Sequence, residues 1–170
     1  MIRPEPSEYA PFYAGYVARV PEGDILDLLV QQMHDTGALL AGLSEAQGGH
    51  RYAPGKWSIK EVVGHIADTE RVFAYRALRF ARADATALAS FDENAWVAGS
   101  GADQRSLRDL AEELLAVRQG TIALVRSLTE EAAARSCTAS GRTVTVRALV
   151  YMTAGHELHH LAIFRERYLA

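Results

Sequence analysis

Residues 57–81 decide the fold, and they read WSIKEVVGHIADTERVFAYRALRFA. Ser58 and Glu61 form the S-x-x-E capping box that marks a helix N-terminus. From that start, apolar side chains recur every three or four positions to the end of the stretch, which is the spacing of an amphipathic helix. His65 falls on this apolar stripe. The stretch therefore predicts a long helix that carries a histidine on its buried face.

Three more segments show the same helical spacing of apolar residues. Asp24 is a typical N-cap residue, and the pattern that follows it predicts a first helix over residues 25–43. Ser106 begins a third helix that extends to residue 128, and a fourth helix runs from residue 146 to about residue 168. Together with the helix described above, these segments predict an all-α fold with the architecture of a four-helix bundle.

The segments between the helices predict how they are connected. Residues 44–56 are rich in Gly and Pro, and they predict a loop that allows the first two helices to be antiparallel neighbours. The segment between the third and fourth helices allows the same arrangement, whereas residues 82–104 lose the helical period and form a long segment that permits a crossover. Residues 138–146 read TASGRTVTV, a turn followed by β-branched residues. We expect this segment to open the fourth helix, the alternative being a short strand.

The composition is that of one globular domain covering residues 1–170, because 49% of the residues are hydrophobic and 23% are charged. A net charge of -3 provides no basic surplus for binding a nucleic-acid backbone. Cys137 is the one cysteine, which excludes an intrachain disulfide. No apolar stretch has the length of a membrane span, and the first residues lack the apolar core of a signal peptide. We therefore expect a cytoplasmic protein that binds neither nucleic acid nor membranes.

A group of histidines lies in the fourth helix, where residues 155–160 read GHELHH. His156 and His160 are four residues apart, so their side chains stack on one helical face with a spacing that suits two ligands of one metal ion. His159 lies about 100° around the helix from His160, so the three cannot all point at one ion. His65 offers a third imidazole from the facing helix. Three imidazoles leave a coordination position open, which is typical of a catalytic metal site.

The same residues allow other interpretations. A buried histidine is more often a core residue with satisfied hydrogen bonds than a metal ligand. Asp68 and Glu70 are candidates for a hydrogen-bond acceptor or a base near the metal, but we expect them on a polar helix face beside Arg71. Glu157 projects about 100° away from His156, so we expect it at the surface or behind a ligand rather than in catalysis.

Three segments of the chain resemble the DinB/YfiT-like superfamily of metalloproteins. Residues 51–80, RYAPGKWSIKEVVGHIADTERVFAYRALRF, look like its second-helix signature, in which a histidine follows a helix start marked by tryptophan. Residues 155–168, GHELHHLAIFRERY, resemble its last-helix motif, and residues 16–26, YVARVPEGDIL, are similar to the start of its first helix. The two histidine motifs occur in the superfamily's order, and the resemblance extends over nearly the whole chain.

The resemblance implies a DinB/YfiT-like four-helix bundle, often a homodimer, that binds a divalent metal ion through three histidines. Those ligands fall on His65, His156 and His160, and His159 is left outside the set. We expect nickel or zinc, since imidazole suits both ions.

The resemblance narrows the function without fixing the substrate. Members of the superfamily are described as metal-dependent hydrolases, and relatives use low-molecular-weight thiols in S-transfer or isomerisation. We therefore expect an enzyme that acts on a small molecule, either a hydrolase in which the metal activates water or a transferase in which it activates a thiol. The first alternative is a non-catalytic metal-binding or stress-associated dimeric bundle. The second is a bundle whose histidines are only core residues.

Overall fold

Four long helices form the bundle in the computed structural model, which describes residues 1–169. Shorter helices and one β-hairpin connect them. The helices are α1 (Ala14–Arg19), α2 (Ile25–Ala41), α3 (Glu45–Gly48), α4 (Ile59–Ala81), α5 (Glu93–Gly99), α6 (Leu107–Arg126), α7 (Glu130–Ala134) and α8 (Val146–Ile163). The strands are β1 (Ser136–Ala139) and β2 (Arg142–Thr145), and a π-helical turn, Phe164–Tyr168, follows α8. The predicted four-helix bundle is confirmed.

Each long helix begins where a side-chain oxygen caps it. Ser58 Oγ accepts the Glu61 backbone N–H at 3.1 Å, and the Glu61 carboxylate accepts the Ser58 N–H at 2.9 Å, so the predicted capping box is present. Asp24, Ser106 and Thr145 cap α2, α6 and α8 through the same kind of contact. The starts of the helices are therefore decided locally, by residues that satisfy the first free N–H groups.

The neighbour relations in the bundle differ from those expected from loop length. The helix α4 packs against α6 and α8, and α2 also packs against α6 and α8, so α2 and α4 lie diagonally opposite each other. The long segment between α4 and α6 joins neighbours, whereas the shorter segments join diagonal helices. The antiparallel neighbours that loop length allowed, α2 with α4 and α6 with α8, are not adopted, because each connecting segment is long enough to cross an end of the bundle.

A β-hairpin precedes α8, so the expectation that residues 138–146 open the fourth helix was wrong. The strands β1 and β2 pair antiparallel, with Ser136 opposite Thr145 and Ala139 opposite Arg142. The two turn residues, Ser140 and Gly141, both have positive φ angles, of 53° and 72°. This is the backbone of a two-residue type I′ turn, whose twist matches that of paired strands. The β-branched residues therefore form the short strand that was considered as the alternative.

The core consists of two apolar clusters with a buried polar layer between them. One cluster includes Leu29, Phe80 and Met152, and the other includes Ile66, Leu110 and Phe164. We use the name polar layer for the buried polar residues that lie between these clusters, which are Gln32 and Thr36 on α2, His65, Thr69 and Glu70 on α4, Arg118 and Thr121 on α6, and Thr153, His156, Glu157 and His160 on α8. Within residues 1–169, no helix combines the length and the apolarity needed to cross a membrane.

Candidate metal centre

The three predicted ligand histidines lie together in the polar layer. His65 Nε2 is 3.0 Å from His156 Nε2, and His160 Nε2 is also 3.0 Å from His156 Nε2. One ring nitrogen of each lies within 4.8 Å of those of the other two. The arrangement follows from the fold, since a four-residue spacing stacks His156 over His160 on α8 and the packing of α4 against α8 brings His65 opposite.

The chemistry of this cluster fits a divalent transition-metal ion. Burial lowers the pKa of His65 to about 4 and that of His160 to about 3, and burial together with the neighbouring histidines lowers the pKa of His156 well below its usual value. All three imidazoles are therefore neutral near pH 7, and neutral imidazole is the form that binds metals. The group of ligand-type side chains that meet here consists of these three histidines.

Aromatic rings enclose the histidine cluster. The centroid of the Trp57 ring is 4.9 Å from that of His65, and the Tyr16 ring lies 5.4 Å from His156. The helix α1 reaches this position because Gly155, which precedes His156, has no side chain. A Cβ atom at Gly155 would overlap the carbonyl group of Tyr16. The backbones of α1 and α8 therefore touch directly, and α1 shields one side of the cluster from solvent.

His159 lies outside the cluster. Its ring packs against Tyr16 at 5.3 Å and against His160 at 5.1 Å between ring centroids. Partial burial, with a contribution from Arg19, lowers its pKa. The structure thus places His159 between α1 and α8, beside the three clustered histidines rather than among them.

An ion-pair network fills the polar layer next to the histidines. Arg118 donates from Nε and Nη2 to the two carboxylate oxygens of Glu70, each at 2.8 Å, and its Nη2 lies 2.6 Å from Glu157 Oε2. Thr36 donates a hydrogen bond to the other oxygen of Glu157. Burial alone lowers the pKa of Arg118, but Glu157 and Glu70 more than offset this effect and raise it. Arg118, Glu70 and Glu157 are each 2% exposed, so all three charges are buried.

These positions correct two sequence-based expectations. Glu70 does not lie on a polar helix face, and Glu157 does not lie at the surface, the first of the two positions expected for it, because Arg118 balances both charges inside the bundle. Asp68 does lie on the outer face of α4, where it pairs with Arg71 at 3.2 Å as expected. Arg118 was not among the residues predicted for the site, although a signal was present: it follows Leu114 by four residues and therefore belongs to the buried stripe of α6.

Two cavities reach the cluster from different sides. The larger one, of about 280 Å³, is lined by His160, Trp57, Tyr52 and Tyr168, and by Lys56. The smaller one, of about 30 Å³, is lined by His65, His156 and Thr69, and its remaining walls are aromatic side chains and Glu93. The histidine cluster is therefore buried and yet accessible to a small molecule through the larger cavity.

Comparisons with solved structures show a shared fold. The structure of YfiT from Bacillus subtilis, described as a probable metal-dependent hydrolase with an unusual four-helix bundle topology, superposes with a TM-score of 0.71 at 18% identity, over 97% of this chain and 90% of that one. A DinB-like protein of Bacillus subtilis, YjoA, gives a TM-score of 0.62 at 23% identity over 86% of this chain and 90% of that one. A mycothiol-dependent maleylpyruvate isomerase gives 0.69 at 17% identity, over 86% of this chain and 61% of that one.

The family to which the chain belongs is shown by a sequence match rather than by the shared fold. No curated protein matches the chain. The profile of the DinB superfamily, however, matches residues 28–164, which include all four long helices except the first three residues of α2. The match contains α4 and α8, which carry the clustered histidines, and the polar layer between the two apolar clusters. The chain therefore belongs to the DinB superfamily.

Proposed function

We propose that this protein is a metal-dependent enzyme that acts on a small molecule. The observation that carries the proposal is the set of three buried, neutral imidazoles whose nitrogens face one another beside an open cavity. In this proposal His65, His156 and His160 bind one divalent ion, with nickel or zinc as the expected metal. A catalytic metal site keeps a coordination position free, which fits a set of three protein ligands.

Such an ion would act as a Lewis acid and would lower the pKa of a coordinated water or thiol toward neutrality. The chain's own residues contribute binding, orientation and exclusion of water. The ion pair of Arg118 with Glu157 holds the segment of α8 that carries the histidines, and the rings of Trp57 and Tyr16 keep bulk water from two sides of the cluster. A dry site strengthens the electrostatic interactions within it.

The larger cavity supports a small molecule as the substrate. Its volume, about 280 Å³, is near the lower limit for ligand pockets. Its walls are aromatic around Trp57 and Tyr52, and Lys56 is the cationic side chain among its lining residues. These features favour a compact substrate with an apolar body and an anionic group, of which one atom reaches the metal next to His160.

Two reaction classes agree with this site. Hydrolysis is supported by the description of YfiT as a probable metal-dependent hydrolase. Transfer or isomerisation with a low-molecular-weight thiol is supported by the mycothiol-dependent isomerase, which shares the fold. A non-catalytic metal-binding bundle is the alternative, and a fourth protein ligand would favour it. The cluster instead offers three histidines and an adjoining cavity, so we prefer an enzyme.

Metal content tests the proposal directly. Elemental analysis of protein purified without a metal-affinity tag should find about one nickel or zinc ion per chain. The His65→Ala variant should lose the ion, whereas His34→Ala should keep it, since His34 is an exposed histidine on α2 and serves as the matched control. Less than about one-tenth of an ion per wild-type chain after reconstitution with several divalent metals would refute the proposal.

The homodimer expected from the resemblance remains a prediction. Light scattering across micromolar concentrations should give the mass of two chains, and a mass of one chain throughout would contradict it.

A further inference from the structure

Thr69 is a buried threonine whose hydroxyl group has no partner. It lies one helical turn after His65 on α4 and is 4% exposed, and its Oγ1 makes no hydrogen bond within residues 1–169. Threonines inside helices ordinarily bond to the carbonyl four residues earlier. Thr121 does so with Val117 at 3.2 Å, and Thr153 does so with Leu149 at 2.9 Å. Thr69 therefore bears a desolvation cost that the other two avoid.

Thr69 lines the smaller cavity together with His65 and His156. The volume of this cavity, about 30 Å³, is enough for one water or an anion of two or three atoms. Its other walls are the rings of Phe12, Phe73 and Phe91, the side chains of Tyr13 and Tyr16, and the carboxylate of Glu93. Thr69 thus brings an unpartnered hydroxyl group to a small space that two of the three clustered histidines border.

The two cavities border different histidines. The larger cavity is lined by His160, and the smaller by His65 and His156. The two cavities therefore contact the same cluster through different histidines. A hydroxyl group both donates and accepts hydrogen bonds, so Thr69 can hold either a water or an anion on the side of the smaller cavity.

We propose that Thr69 binds the small ligand, a water or a small anion, that occupies the smaller cavity and completes the coordination of the metal. This inference rests on the proposed function, since it requires an ion at the three histidines. It assigns the smaller cavity to the small ligand and leaves the larger cavity to the organic substrate. Thr69 acts by a direct hydrogen bond to the small ligand. The loss of its hydroxyl group should therefore weaken the binding of the small ligand more than the binding of the metal.

Azide binding to the cobalt-loaded protein tests this role without measuring turnover. The visible spectrum of Co²⁺ reports both metal binding and azide binding. We expect Thr69→Val to bind cobalt as the wild type does but to bind azide about 10- to 100-fold more weakly, because a hydrogen bond to a charged ligand is lost. Thr69→Ser should restore the azide affinity to within about threefold, because it restores the hydroxyl group. Thr121→Val, a buried threonine with a satisfied hydroxyl, is the matched control and should match the wild type.

The possible failures are distinguishable. A wild-type protein that binds no cobalt would refute the proposed function and this inference with it. Cobalt binding with equal azide affinity in the wild type and in Thr69→Val would refute the role of Thr69 alone. Thr69→Ser with an affinity as weak as that of Thr69→Val would also refute it, because the hydroxyl group would not be the cause. If Thr69→Val does not fold by circular dichroism, Thr69→Ala takes its place with the same expected loss.

Discussion

Replacing Gly155 with alanine should destabilise the protein, although alanine is the better helix former. An ideal Cβ at this position would lie 2.5 Å from the carbonyl carbon of Tyr16 and 3.0 Å from its Cα, and closer still to the oxygen. Ordinary van der Waals contact begins at 3.4 Å, so α1 would have to retreat by about 1 Å or more. The opposing atoms belong to the backbone, and no side-chain rotation can relieve the overlap.

The size of the effect follows from what α1 contributes. Alanine gains about 0.5–1 kcal/mol over glycine inside a helix, and overpacking a core costs about 1–3 kcal/mol or more. The cost cannot exceed that of releasing α1 altogether. The large apolar side chains that its segment buries are Val17 and Val20, at 3% and 4% exposure, and exposing them would cost about 1.5–3 kcal/mol each. We therefore expect a net loss of about 2–4 kcal/mol in the free energy of unfolding.

Urea unfolding of Gly155→Ala measures this loss, with Gly120→Ala as the matched control. Gly120 lies in α6, where an added Cβ would meet nothing within 4 Å. The control should therefore gain about 0.5–1 kcal/mol from helix propensity alone. If Gly155→Ala were as stable as Gly120→Ala, the direct backbone contact between α1 and α8 would be wrong.

Three further predictions follow from the cluster and its surroundings. His160→Ala should weaken Zn²⁺ binding by more than about 100-fold and His159→Ala by less, as measured by competition with a chelating dye, and equal losses would move the ligand role to His159. The metal-free protein should lose stability as the pH falls from 6.5 toward 4, because the folded state holds the pKa of His65 at about 4 and the unfolded chain then binds more protons. The slope is about 1.4 kcal/mol per pH unit for each such histidine, and urea midpoints that stay flat over this range would contradict it. Arg118→Leu should cost about 3–5 kcal/mol in urea unfolding, because it leaves two glutamates buried without a cation, and a variant that also converts both glutamates to glutamine should regain most of that loss.

The sequence predicted those features of the protein that depend on neighbours along the chain. The capping box at Ser58 fixes the start of α4 through two hydrogen bonds within four residues. The stripe that begins there also decides which face of α4 is buried, and hence that His65 points inward. The four-residue spacing of His156 and His160 decides their common direction in the same way. The candidate site could be found because each of its parts is a local pattern.

Features that depend on which helices touch were not predictable in this way. Glu70 was expected on a polar helix face, and Glu157 at the surface or behind a ligand, because a carboxylate is rarely buried unless it is paired. Their partner, Arg118, lies on α6, 48 residues from Glu70, and no local pattern joins them. The diagonal placement of α2 and α4 was missed for the same reason, since loop length limits the possible neighbours without selecting them. The short strand was only the alternative to a helix start, because four residues per strand give too short an alternation to distinguish the two.

The polar layer explains why a cation belongs at this level of the bundle. Arg118 provides one positive charge against the two carboxylates of Glu70 and Glu157, so the ion-pair network carries a net charge of about -1. The three histidines add no charge near pH 7, because burial keeps their pKa values low. Buried charge without compensation is costly in a medium of low dielectric constant. A divalent ion at the histidines would satisfy three imidazole nitrogens and supply positive charge to a layer that lacks it. Metal binding should therefore stabilise the folded chain as well as provide its chemistry, by an amount that rises with the free metal concentration.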